Sequence, residues 1–96
     1  MKKVYYDPTN ELVAVPDAKA MEYAERLLKE DNLYVSNSLV ILFIRLLIKK
    51  KYLVHTEVEF YFNGQVITVD ENGGQDNHPI GYCDEMDTIF AKLFGI

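Results

Sequence analysis

The sequence has no tryptophan and only one cysteine, Cys83, in 96 residues. A single thiol cannot close a disulfide within the chain, so a reducing compartment, the cytoplasm, is expected. Three prolines and five glycines are too few for a collagen-like or low-complexity chain, and hydrophobic residues at 49% exclude a disordered one. Long apolar runs are lacking as well. The longest, Leu39 to Ile48, is ten residues and is broken by Arg45, half of what a membrane span needs. Met1-Lys2-Lys3 leads into Val4, Tyr5, Tyr6, Asp7 and Pro8 instead of an apolar stretch, so no secretory signal is expected.

The most informative scarcity is that of cations. Residues 1–51 hold nine Lys and Arg against seven Asp and Glu, whereas residues 52–96 hold one cation, Lys92, against eight carboxylates, net −7. No Lys or Arg occurs between 52 and 91. An acidic half of this kind repels nucleic acid and attracts a basic protein surface.

What is present suits one domain, since this length supports a single hydrophobic core. VYYDPTNELVAV, residues 4–15, alternates around Asp7-Pro8-Thr9-Asn10, and Pro8 suits a type I turn, so a first hairpin is expected. Pro16-Asp17 ends it and caps a helix from Ala18 to about Glu30. Met21, Ala24 and Leu28 form its apolar stripe, with Ala20, Tyr23 and Leu27 beside them. Glu22–Arg26 and Glu25–Lys29 fall at i,i+4 on the outside.

A second helix is expected over 36–51, capped by Ser36 and closed by Lys49, Lys50 and Lys51, which complement the helix dipole. Apolar residues surround most of its circumference, which suits the centre of a core or a dimer interface. Burying six or more of them at ~1.5–3 kcal/mol each would dominate folding.

Asn63-Gly64 between VEFYF and QVITV specifies a type I′ hairpin that pairs Phe62 with Gln65, Tyr61 with Val66, Phe60 with Ile67, Glu59 with Thr68 and Val58 with Val69. Alternation sends Val58, Phe60, Ile67 and Val69 inward. Glu57, Glu59, Tyr61, Val66, Thr68 and Asp70 then face outward together. After a loop from Asp70 to Tyr82, Asp84 caps a last helix with Glu85 and Asp87 in its first turn and Met86, Ile89, Phe90 and Leu93 on its apolar stripe. The expected fold is therefore a small single α+β domain over residues 1–96, order ββααββα, antiparallel hairpins packed against helices around a very apolar central helix.

Several constellations dissolve on inspection. A calcium loop starting at Asp70 needs Gly at its sixth place and Glu at its twelfth, but those places hold Gln75 and Gly81. His55, His78, Cys83 and Asp84 lack the short paired spacing of zinc ligands. Cys83 with His78 as base would place a thiolate among Asp84, Glu85 and Asp87, which oppose its ionisation. Glu57 and Glu59, about 7 Å apart on a strand, lack the pocket that acid and base catalysis needs. Two helices followed by a hairpin also suit a winged helix, yet the reading helix would present Leu, Ile and Phe and the wing Glu57, Glu59 and Asp70, so DNA binding is not expected.

No catalytic group, cofactor or metal is thus expected. The expected role is a non-enzymatic protein-binding module, a small acidic inhibitor or immunity-type protein of phage or bacterial conflict that masks a basic, nucleic-acid-handling partner. Its candidate contact residues are Glu57, Glu59, Tyr61, Asp70, Glu71, Asp76, Asp84, Glu85 and Asp87, with Tyr61 as the aromatic anchor. The alternative is a small structural or assembly protein, a homodimer through the helix at 36–51.

Overall fold

Strand β1, Lys2–Tyr6, lies at the heart of the computed structural model, which describes residues 1–75. Val4 and Tyr6 point inward and are buried, while Lys3 and Tyr5 point outward. Helix α1 (Ala20–Glu25) leads to β2 (Asn32–Val35), and α2 (Ser38–Lys49) leads to the hairpin of β3 (Val58–Phe62) and β4 (Gln65–Ile67). The strands form one sheet in the order β2-β1-β3-β4. β1 runs parallel to both neighbours, and β4 is antiparallel to β3.

Both helices pack on the inner face of this sheet. Ala20, Ala24 and Leu27 from the first helical segment and Val40, Ile41, Ile44, Leu47 and Ile48 from α2 share one core with Val4, Leu33, Phe60 and Ile67. The domain is accordingly a small mixed, roughly α+β unit of two layers, held by apolar burial on one face of the sheet.

The second hairpin forms as its Asn-Gly signal requires. Asn63 and Gly64 sit at φ +50° and +77°, and Phe62 pairs with Gln65, Tyr61 with Val66 and Phe60 with Ile67. β4 stops there, and Val69 bridges Gln75 instead of extending the ladder to Val58. Val58, Phe60, Ile67 and Val69 are all buried, as the alternation demands.

The first hairpin does not form. Its turn does, with Asn10 N donating to Asp7 O at 3.1 Å and Thr9 Oγ1 to Asp7 Oδ1 at 2.7 Å. Beyond it, Asn10 Oδ1 accepts from Leu12 N at 3.1 Å and caps a 3-10 turn over Glu11–Val13, which turns the chain away from β1. Both edges of β1 are instead taken by distant strands, β2 on one side and β3 on the other. β2 is the NLYV stretch before the second helix, in which Leu33 and Val35 are buried and Tyr34 is exposed.

The first helix is shorter than its pattern suggests, running as 3-10 over Asp17–Lys19, α over Ala20–Glu25 and 3-10 again over Arg26–Leu28. The tighter end turns Leu28 outward, 39% exposed, and buries Leu27 in its place. Arg26 pairs with Glu30 at 2.7 Å instead of with Glu22, and its guanidinium lies 5.0 Å from the centre of the Tyr23 ring.

Asn37, not Ser36, caps α2. Its Oδ1 accepts from Leu39 N at 2.9 Å, and its Nδ2 donates to Val15 O at 2.8 Å and Asp17 Oδ1 at 2.7 Å. Ser36 donates instead to Val13 O at 3.3 Å. Within α2, Arg45 is 1% exposed and donates from Nε to Gly73 O at 2.7 Å, which ties the helix to the turn after β4. The helix expected after Asp84 lies outside the described residues.

A Schellman motif ends α2, with Lys51 N bonded to Ile48 O at 3.0 Å and Tyr52 N to Leu47 O at 3.0 Å. It places Lys51 at φ +67°, where a Cβ is strained. Lys51→Gly is expected to raise unfolding stability by about 0.5–1 kcal/mol, a midpoint shift of a few degrees. A thermal melt checks this against Lys51→Ala, which also lacks the Nζ bond to Glu71 O at 3.2 Å but keeps the Cβ, and a Gly variant no more stable than the Ala variant would contradict the strain.

Candidate protein-docking face

Period-two alternation in β1, β2 and β3 fixes what the outer face of the sheet displays. Because Val4, Leu33 and Phe60 are in mutual register and buried, their successors Tyr5, Tyr34 and Tyr61 are in register on the opposite face. Tyr5 lies between the other two, its ring centre 5.0 Å from that of Tyr34 and 5.2 Å from that of Tyr61, with interplanar angles of 18° and 19°. Nearly parallel rings at inter-strand spacing are stacked face to face along the row. Such contacts add ~0.5–1.5 kcal/mol per pair to the burial of the rings and hold them rigid. Val66, paired with Tyr61, continues the row onto β4 and is 43% exposed; Tyr34 at the other end is 54% exposed.

A polar row runs beside the aromatic one. Lys3 is in register with Asn32 on one side and Glu59 on the other, and all three point outward. Among the described residues no carboxylate pairs with the Lys3 ammonium. Glu59 Oε1 accepts from Tyr61 Oη at 2.9 Å, and this bond, with some loss of solvent and the negative charge itself, raises the Tyr61 pKa above the usual phenol range.

The expected contact residues are distributed differently from the sequence pattern. Glu59 and Tyr61 share the sheet face. Glu57 is exposed but closes a 3-10 turn over His55–Glu57 ahead of β3, so it does not stand on the strand with Glu59. Asp70 is exposed too, yet its Oδ1 accepts from Asn72 N at 2.8 Å and Gly74 N at 3.0 Å and closes the turn after Val69. Glu71 is exposed beside Lys51 and His55 around a shallow cleft. Asp76, Asp84, Glu85 and Asp87 lie outside the described residues, as do His78 and Cys83.

Lys3, Tyr5 and Tyr34 belong to the face and were not foreseen. The signal lay in KVYY and LYV, two short alternating stretches that a parallel sheet brings side by side. Among the described residues, no group of His, Cys, Asp and Glu is arranged to hold a metal ion, and no helix is long and apolar enough to cross a membrane.

The Tyr61–Glu59 bond has a pH signature. An acid whose pKa is raised on folding contributes stability that is fully present below the unfolded phenol value and lost as pH rises through the folded one. Ultraviolet titration of tyrosinate, with Tyr61→Phe as the difference, is expected to show Tyr61 ionising above an ordinary tyrosine, and Glu59→Gln is expected to bring it down. Identical titration in Glu59→Gln would mean that the bond does not form in solution.

No family model, curated protein or solved structure matches the chain.

Proposed function

We propose that the protein is a non-enzymatic binding module, an acidic inhibitor or immunity-type protein of a bacterial or phage system that covers a basic surface on a nucleic-acid-handling partner. The observation that carries this reading is the net charge of −7 over residues 52–96, concentrated where Lys92 is the one cation. Exposed carboxylates steer a basic partner during encounter. Glu57 and Glu71 support it best among the described residues, since both are exposed and neither carboxylate is engaged in closing a turn, as that of Asp70 is.

The alternative, a homodimer joined through residues 36–51, has less surface to work with. Val40, Ile41, Leu42, Ile44, Leu46, Leu47 and Ile48 are already buried within this chain.

The test is capture from bacterial lysate at low salt, elution by rising salt, and then association kinetics of the recovered protein with wild type and with the double variant Glu57→Lys, Glu71→Lys. The expected result is a Lys- and Arg-rich partner whose association rate falls roughly tenfold or more in the variant at low salt and only slightly at high salt. A partner indifferent to both salt and charge reversal would refute the electrostatic reading.

A further inference from the structure

The outer sheet face carries a pattern that the acidic reading does not use. Two rows cross the same strands: Asn32, Lys3 and Glu59 in one, Tyr34, Tyr5, Tyr61 and Val66 in the other. Lys3 and Glu59 stand in register on adjacent strands, β1 and β3, as unlike charges on either side of the line between them. Tyr5 and Tyr61 flank that line in the same way.

A two-fold axis laid along this line, parallel to the strands, maps β1 of one copy over β3 of another. Lys3 of each copy then meets Glu59 of the other, and Tyr5 meets Tyr61. Tyr34 at one end of the row comes over Val66 at the other, both exposed apolar surfaces. An in-plane axis perpendicular to the strands would instead set the charged row over the aromatic one. Self-complementarity about one axis is what an isologous interface needs. Two twisted sheets stacked face to face at about −30° are the ordinary way to make it.

From this charge complementarity and register we infer that a second copy of the chain covers the outer sheet face, giving a two-fold dimer with reciprocal Lys3–Glu59 pairs. The β2 edge is the weaker candidate for self-association. Tyr34 O, which points away from β1, already accepts from Tyr23 Oη at 2.6 Å, so strand addition there would have to displace that bond. The face also explains why the ring row is half exposed: three stacked tyrosines and Val66 form an apolar strip with hydroxyls at its margin, the composition of an interface centre. The four described strands are short, so a small, weak interface that dissociates in the micromolar range is expected.

The inference is independent of the basic partner, because Glu57 and Glu71 are not used. In the dimer they stay outside the reciprocal pairs, and the two readings fail separately: loss of partner capture leaves the mass unchanged.

Sedimentation velocity from about 5 to about 500 µM is the test, on wild type, Lys3→Glu, Glu59→Lys and an equimolar mixture of the two variants. Wild type is expected to shift from monomer to dimer with concentration, while each variant alone stays monomeric because like charges now face each other twice. The mixture is expected to recover the dimer, since every Glu at position 3 meets a Lys at position 59 and each remaining Glu59 meets Lys3. That recovery cannot come from contacts within one chain. Wild type that is monomeric throughout overturns the inference, as do single variants that dimerise like wild type or a mixture that stays monomeric.

Discussion

The pairing of β1 with both β2 and β3 is the constraint on which the rest of this structure depends. Because β1 is central and its side chains alternate, placing Val4 and Tyr6 in the core places Lys3 and Tyr5 outside. A slip of one residue would bury Lys3 and Tyr5 and expose Val4, so the apolar core fixes the register of the outer face as firmly as its own. The helices act on the same constraint from behind. Among the described residues α1 and α2 pack on the inner face, and the opposite one carries polar groups and stacked rings.

Where the structural information was local, it could be read in the sequence. Asn63-Gly64 sets the β3–β4 hairpin because both backbone angles it needs are positive, and the pairing of Phe60 with Ile67 follows by counting. The branched apolar residues from Val40 to Ile48 form a helix because polar signals close both ends, although the cap is Asn37 and the final Lys51 is strained. Parallel pairing was not legible. It joins Val4 to Leu33 and Phe60 across long stretches of chain, and nothing in KVYY distinguishes a hairpin partner nearby from a crossover partner far away. The 3-10 turn at Glu11–Val13 settled the matter through one side-chain cap, Asn10, that the alternation of ELVAV concealed.

The candidate site divides along the same line. Glu59 and Tyr61 follow from the hairpin and stand where alternation puts them. Period two places Glu57 and Asp70 on the same strand face, but each sits in a turn at an end of the ladder, because β3 begins at Val58 and β4 ends at Ile67. Their place on one face was an extrapolation of period two beyond the paired residues. Lys3, Tyr5 and Tyr34 enter only through tertiary contact, and they change the chemistry: the face is aromatic and nearly balanced in charge, while the exposed acids Glu57 and Glu71 stand off the two rows. The exposed acids proposed to meet a basic partner and the two rows proposed to meet a second copy are therefore different residues of one small domain.

The sheet stands or falls on Tyr5 lying between Tyr34 and Tyr61 on its outer face, with β1 flanked by β2 and β3. Nuclear Overhauser contacts among specifically labelled tyrosine rings test it most directly. Ring-to-ring contacts from Tyr5 to both Tyr34 and Tyr61 are expected, together with slow amide exchange along β1. Contacts from Tyr5 to Leu12 or Val13 instead would restore the local hairpin and contradict the sheet, and with it the face.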